Sequence, residues 1–231
     1  MKTRILLFSF LLLVWIFSCG KEDANTELGG DTNIPLTKVD SVSNVYLNYN
    51  GTYLGSTTMK VVSNNNGEVT YNAKMDLKTF PNDLKLKALE YLPKVQSYYN
   101  VPNLKITPDQ QIEFDFKLKI TSEGYMDYFT DGKPWVMIKY ENGVGAEYKI
   151  TNNKGQELSR KITEKTGIDD YPFGFLLIKT TKVEHIAPAD NPVFSKVTYR
   201  ANHKFGLVDV EFVLKDKDET KFRIDIRAFF L

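Results

Sequence analysis

The chain has 231 residues, 30 Lys and Arg against 29 Asp and Glu, and a formal net charge of +1 at pH 7. That balance lacks the basic excess that marks a nucleic-acid-binding surface. The 13 Tyr and 15 Phe favour strands over helices, and a single cysteine excludes an internal disulfide.

Lys2 and Arg4 precede the apolar run Ile5–Phe17, and Ser18-Cys19 follows it. A basic start, an apolar middle and a small residue ahead of a cleavage point make residues 1–18 an expected signal peptide. The run is about thirteen residues long, short of the roughly twenty that span a bilayer. Cys19 is the expected lipidation site: an odd thiol in an exported chain needs an explanation, and acylation of its sulfur supplies one. Ile16-Phe17-Ser18-Cys19 resembles the bacterial lipobox, with Phe17 bulkier than the usual residue there. Several acyl chains, unlike one, give a stable membrane anchor. Losing Lys2 and Arg4 with the signal peptide leaves 28 cations against 29 acids. Lys21, Glu22 and Asp23 resemble the export signal of surface lipoproteins in Bacteroidetes, where a lysine and two acids follow the lipidated cysteine. An ordinary charged tether is the competing reading. Together these features imply an outer-membrane lipoprotein exposed at the surface.

Residues 19–41 carry the lipidated cysteine and a flexible tether, too polar and Gly-rich to bury a core. A single β-rich domain is expected over residues 42–231. Val45, Leu47 and Tyr49 alternate with polar residues, and Asn50-Gly51 then signals a tight turn. Thr52–Val62 returns, Asn64-Asn65-Asn66-Gly67 turns again, and Val69–Phe80 completes a meander. Ile112–Ile120 alternates five apolar with four charged residues, the pattern of a strand with one buried and one wet face. The pattern recurs at Val208–Leu214 and Lys221–Phe230, and further strands are expected at 135–140, 144–150, 156–166, 173–186 and 193–201. Asp131-Gly132, Asn142-Gly143 and Asn153-Lys154-Gly155 punctuate them as turns.

The exception is 82–100, where Leu84, Ala88, Tyr91, Leu92, Val95, Tyr98 and Tyr99 form a helical stripe, although Leu84, Leu86 and Ala88 also fit a strand. Pro93 is expected to kink or split it. The expected fold is mainly β: a long, curved antiparallel sheet, half-barrel-like or an open barrel, with this short helical segment against its concave side.

Candidate chemistry is sparse. His185 and His203 are the only histidines and have no metal-ligand spacing around them, so neither a metal nor a cofactor is expected. Asp169-Asp170 would point to opposite faces of a strand and reads as a solvated turn. Asn202-His203-Lys204 lies between two strands, able either to offer hydrogen bonds at the sheet edge or to fix a turn. Trp135 and tyrosines including Tyr46, Tyr53, Tyr98 and Tyr99 are able to stack on sugar rings or to serve as core and cross-strand pairs. Trp135, Asn202, His203 and Lys204 are therefore the candidate binding residues.

The stretches Val144-Gly145-Ala146-Glu147-Tyr148, Asp169-Asp170-Tyr171-Pro172-Phe173-Gly174 and Tyr199-Arg200-Ala201-Asn202-His203-Lys204-Phe205-Gly206-Leu207-Val208 resemble an uncharacterised family of Bacteroidetes lipoproteins. The resemblance covers roughly residues 110–215 and implies an envelope location without an activity. The plan of Tyr46–Gly55, with a Gly-Leu-Val strand near the end, is similar to periplasmic half-barrel lipoprotein carriers, a likeness of fold only. The expectation is a non-enzymatic envelope protein, held to the membrane by its N-terminal lipid. It would bind an apolar or amphipathic ligand or another envelope component, the alternative being a surface glycan-binding or protein-interaction module.

Overall fold

The computed structural model describes residues 27–99 and 101–227. Cys19, Lys21, Glu22 and Asp23, with the expected signal peptide, lie outside the described residues. The strands are β1 (Val42–Tyr49), β2 (Thr52–Asn65), β3 (Glu68–Asp76), β4 (Lys105–Ile106), β5 (Gln111–Thr121), β6 (Gly124–Asp127), β7 (Trp135–Lys139) and β8 (Glu147–Thr151). They continue with β9 (Glu157–Lys165), β10 (Tyr171–Phe173), β11 (Leu176–Ile178), β12 (Thr181–Ile186), β13 (Phe194–Asn202), β14 (Gly206–Leu214) and β15 (Lys221–Arg227). One α-helix, α1 (Asn82–Tyr99), links β3 to β4.

The fold is mainly β: one large antiparallel sheet coiled nearly into a barrel, with a seam. The strands run in the order β7-β6-β5-β3-β2-β1-β15-β14-β13-β12-β9-β8, with β4 added to β5. Two meanders of six strands thus meet where the first and last strands pair, with Val45 opposite Ile226 and Leu47 opposite Ile224. Their outer strands, β7 and β8, face each other across the seam. Bulges at Leu47/Asn48, Val61/Ser63, Tyr125/Met126 and Arg200/Ala201 add the twist that coils the sheet.

Alternation of apolar and polar residues turns one face of each strand inwards. Val69, Ile120, Met126, Ile162, Val183 and Tyr199 fill the interior. A second cluster, Val45, Leu47, Leu77, Phe80, Leu84 and Ile112, lies under the helix. β7 departs from alternation, with Trp135 through Ile138 each at most 2% exposed, because it is covered at the seam as well as from the interior.

The helix packs Leu84 against Val45, Leu47 and Ile112 on the inner side of the sheet, as expected, at one end of the barrel. Two expectations are corrected. The helix continues through Pro93 without being split. Pro93 is exposed and Leu89, whose carbonyl loses its partner, is half-exposed, so water can take the freed bond. Finally, folded structure begins well before residue 42. Leu28 is buried in the main core, and Ser122 N donates to the Asp31 carbonyl while Ser122 Oγ accepts from Asp31 N. The stretch is polar and Gly-rich, but one buried leucine and a paired backbone are enough to dock it.

In an antiparallel meander alternate connections share an end. At the helix end are Asn50-Gly51, α1, and the connections 128–134, 152–156, 187–193 and 215–220. The other end carries Asn66-Gly67, Ser122-Glu123, residues 140–146, the excursion containing β10 and β11, and the turn at 203–205. The N-terminal segment docks at this second end, through Asp31 on Ser122 and Thr32 on Asn66.

Candidate functional site

A cleft of about 750 Å³ opens at the helix end, between the C-terminal half of α1 and the connections that flank the seam. The helix contributes Pro93, Lys94, Ser97, Tyr98 and Tyr99. The connection after β6 contributes Phe129, Thr130 and Asp131, that after β8 contributes Asn152, Asn153 and Lys154, and that after β12 contributes Pro188, Asn191 and Pro192. Leu158 and His185 also line it.

Each wall is held in place by its own hydrogen bonds. Asn152 Oδ1 accepts from Lys154 N at 3.0 Å and Gln156 N at 2.9 Å, an Asx turn that fixes the connection after β8. Asp131 Oδ2 accepts from Asn153 N at 2.6 Å, joining two connections across the seam. Asn191 Oδ1 accepts from Val193 N and Phe194 N, both at 2.9 Å, and its Nδ2 donates to Tyr99 Oη at 2.7 Å. That last bond ties the end of the helix to the barrel rim. Tyr98 and Tyr99 meet edge to face with centroids 4.8 Å apart. Lys154 Nζ sits 5.0 Å from the Tyr98 ring and 2.5 Å from Asp190 Oδ2.

His185 is the buried titratable group of the cleft. Its Nδ1 lies 2.9 Å from the Ser159 carbonyl, and its ring meets Trp135 edge to face at 5.2 Å. Burial first, and then the Arg160 charge, pull its pKa down to about 4, against the hydrogen bond to Ser159. At neutral pH the ring is therefore uncharged, Nδ1–H donates to Ser159, and Nε2 is left as an acceptor. Burial raises the Tyr98 and Tyr99 hydroxyls above their ordinary value, so both are neutral donors. The cleft thus offers aromatic and proline surface beside amides, a carboxylate and a lysine.

Trp135 does not reach a surface. It is 1% exposed, its Nε1 donates to the Tyr148 carbonyl across the seam, and the Arg160 guanidinium stacks on it at 3.6 Å. Its role as a contact residue is corrected to a seam residue. Asn202 is buried at the far end, where its Nδ2 donates to the Lys179 carbonyl and its Oδ1 accepts from Lys204 N and Phe205 N. It fixes a turn. His203 and Lys204 are exposed on that turn, at the end of the barrel opposite the cleft. The structure therefore does not bring the four candidates together. In the sequence Tyr98 and Tyr99 are legible as helix residues able to stack on sugars, and Asp131 and Asn153 as turn formers, but nothing joins them. The missing signal was that alternate turns of a meander converge on one end.

Among the described residues Asp127 and Asp209 are the two buried carboxylates, and neither lines the cleft. Asp209 accepts from Tyr171 Oη on the outside of the sheet, with Arg223 at 3.4 Å. Among the described residues no group of three His, Cys, Asp or Glu is placed to hold a metal, and no helix is long and apolar enough to cross a membrane. Comparison with protein-family models, curated proteins and solved structures returns no match.

Proposed function

We propose that this protein is a lipid-anchored cell-envelope binding protein, held by acylated Cys19 at the outer membrane and taking an amphipathic ligand in the cleft at the barrel rim. The make-up of the cleft carries the reading: about 750 Å³, with Tyr98, Phe129 and prolines interleaved with Asp131, Asn153 and Lys154. A ligand with a flat apolar face and a hydroxyl edge matches both, and a saccharide is the class that has both. The packed interior argues against a long acyl chain held in the concavity, which would need the volume that Val69, Ile162 and Val183 fill. Binding rather than catalysis is supported by the commitments of the titratable groups: Asp131 to Asn153, Lys154 to Asp190, and His185 to Ser159.

The test is calorimetric titration of the protein with a panel of envelope and host saccharides, then of Tyr98→Ala with any ligand found. The substitution should weaken binding about tenfold, the loss of one stacking platform, with the melting temperature unchanged. Binding that ignores Tyr98 would remove the cleft from the account.

A further inference from the structure

The excursion between β9 and β12 has no part in the cleft, and it carries the most exposed apolar side chains in the described residues. β10 and β11 form a hairpin off the main sheet, with Tyr171 opposite Ile178 and Phe173 opposite Leu176. Phe175 at its tip is 93% exposed, Leu177 59% and Ile168 70%. Such a group on a water-facing tip costs solubility, so its occupant has to be found.

Its location is built, not accidental. The Tyr171 hydroxyl is latched between Asp209 and Arg223 on the outer wall, and Phe173 stacks on Phe205 with centroids 5.0 Å apart. Phe205 belongs to the turn at 203–205, so the hairpin tip lies at the end of the barrel away from the cleft. The N-terminal segment docks at this same end. Gly30 lies against Ser122 and Glu123, and Tyr125, two residues beyond Glu123, abuts Gly206, the neighbour of Phe205. Contacts therefore run across the barrel end from the N-terminal segment to the hairpin.

Cys19 is eight residues from Glu27, and a fully extended chain covers at most about 28 Å over that span. An acylated Cys19 would keep this end of the barrel within that distance of the bilayer, and the cleft would face away.

We infer that the hairpin tip, Phe175 to Leu177 with Ile168, is a membrane-contact element that seats this end of the barrel in the lipid interface. The inference rests on the proposed acylation of Cys19 for its orientation. The occupant is lipid rather than a protein groove because one chain geometry brings both the anchor and the tip to the same end. Asp169 and Asp170 ahead of the hairpin and Lys179 after it are all exposed, so the flanking charge is mixed. Contact is then apolar, and depends little on lipid charge or salt.

The experiment uses the full chain, expressed in a host that acylates lipoproteins and reconstituted in phosphatidylethanolamine–phosphatidylglycerol vesicles containing brominated phosphatidylcholine. Phe175→Trp reports the tip, and Leu86→Trp, on the exposed face of α1, reports the far end. Each is read as its difference from the parent chain. The expected result is a blue-shifted, bromine-quenched emission at 175, unchanged in high salt, and an unquenched, water-like emission at 86. A water-like, unquenched 175 overturns the inference, and so does equal quenching at both positions. Intact mass reports acylation separately. Quenching at 175 without an acyl mass would leave the tip in lipid and remove the anchor. An acyl mass with an unquenched 175 would do the reverse.

Discussion

Arg160 on β9 donates through Nη2 to Asp127 Oδ2 at 2.6 Å, with both side chains at most 3% exposed. Its Nη1 also donates to the carbonyls of Trp135 and Val136, at 3.1 and 3.2 Å. These two carbonyls belong to β7, whose outer edge has no ladder partner. A single guanidinium therefore stands in for missing ladder bonds at the seam and neutralises the carboxylate beside it. Burial pushes the Asp127 carboxyl up, and the Arg160 charge opposes that.

Removing the guanidinium leaves a buried carboxylate without its counter-ion and takes a donor from two carbonyls of β7. Arg160→Met should cost about 3–5 kcal/mol in chemical denaturation. Arg160→Lys should recover little of this, because an ammonium is a point charge and cannot bridge Asp127 and the β7 carbonyls together. Equal stability of the Lys variant and the parent would show that charge alone holds the seam.

The neutral state of His185 makes a pH prediction. The unfolded chain takes up this proton as pH falls through about 6.5, whereas the folded ring does so only near 4. Stability from this residue is thus complete above about 6.5 and is lost as pH falls towards 4, by roughly 3 kcal/mol in all. An imidazole NMR titration should show no protonation of His185 at pH 5.5. His185→Phe should flatten the dependence of unfolding free energy on pH between 6.5 and 4.5.

At the start of the helix, Lys87 Nζ pairs with Asp216 Oδ2 at 2.6 Å and donates to Thr220 Oγ1 at 3.0 Å. Burial raises the Asp216 carboxyl, but bonds from Lys87 and Thr220 outweigh it and hold it well below the usual range. Lys87→Met should release the first half of α1, at a cost of about 1 kcal/mol. Hydrogen exchange of amides in residues 84–90 should then quicken about fivefold, with little change in the interior strands.

Gly206 opens β14 with φ of 74°, and a Cβ there would overlap the Tyr125 hydroxyl. Gly206→Ala should cost about 2–4 kcal/mol, combining left-handed backbone strain and overpacking. Adding Tyr125→Phe removes the oxygen and should recover the overpacking share, leaving the backbone share. The melting temperatures of the two variants check this.

Much of the fold was legible. Strict alternation at Ile112–Ile120 marks a strand, because a half-buried strand has to alternate, and the Asn50-Gly51 turn pairs the two strands that flank it. The helix was legible from the spacing of Leu84, Ala88 and Leu92, but not its place across the barrel end, which depends on Tyr99 meeting Asn191 far along the chain. The β10–β11 hairpin was merged into one long strand from Phe173 to Ile186, although Gly174, with φ of 64°, turns the chain there. Trp135 was misplaced for a different reason. An aromatic at the start of a strand reads alike whether the strand is an edge facing water or an edge folded under a seam. Only the closure of the sheet decides, and closure is a property of all its strands.

The most direct test of the account is native mass spectrometry of the full-length protein extracted from its own envelope, compared with Tyr98→Ala/Lys154→Ala. Both substituted side chains lie on the cleft wall, where Lys154 pairs with Asp190 and sits over the Tyr98 ring. The account predicts a discrete co-purifying mass on the parent chain, released on mild activation and absent from the variant. A parent chain of bare polypeptide-plus-acyl mass, or a ligand retained by the variant, would contradict binding at the rim.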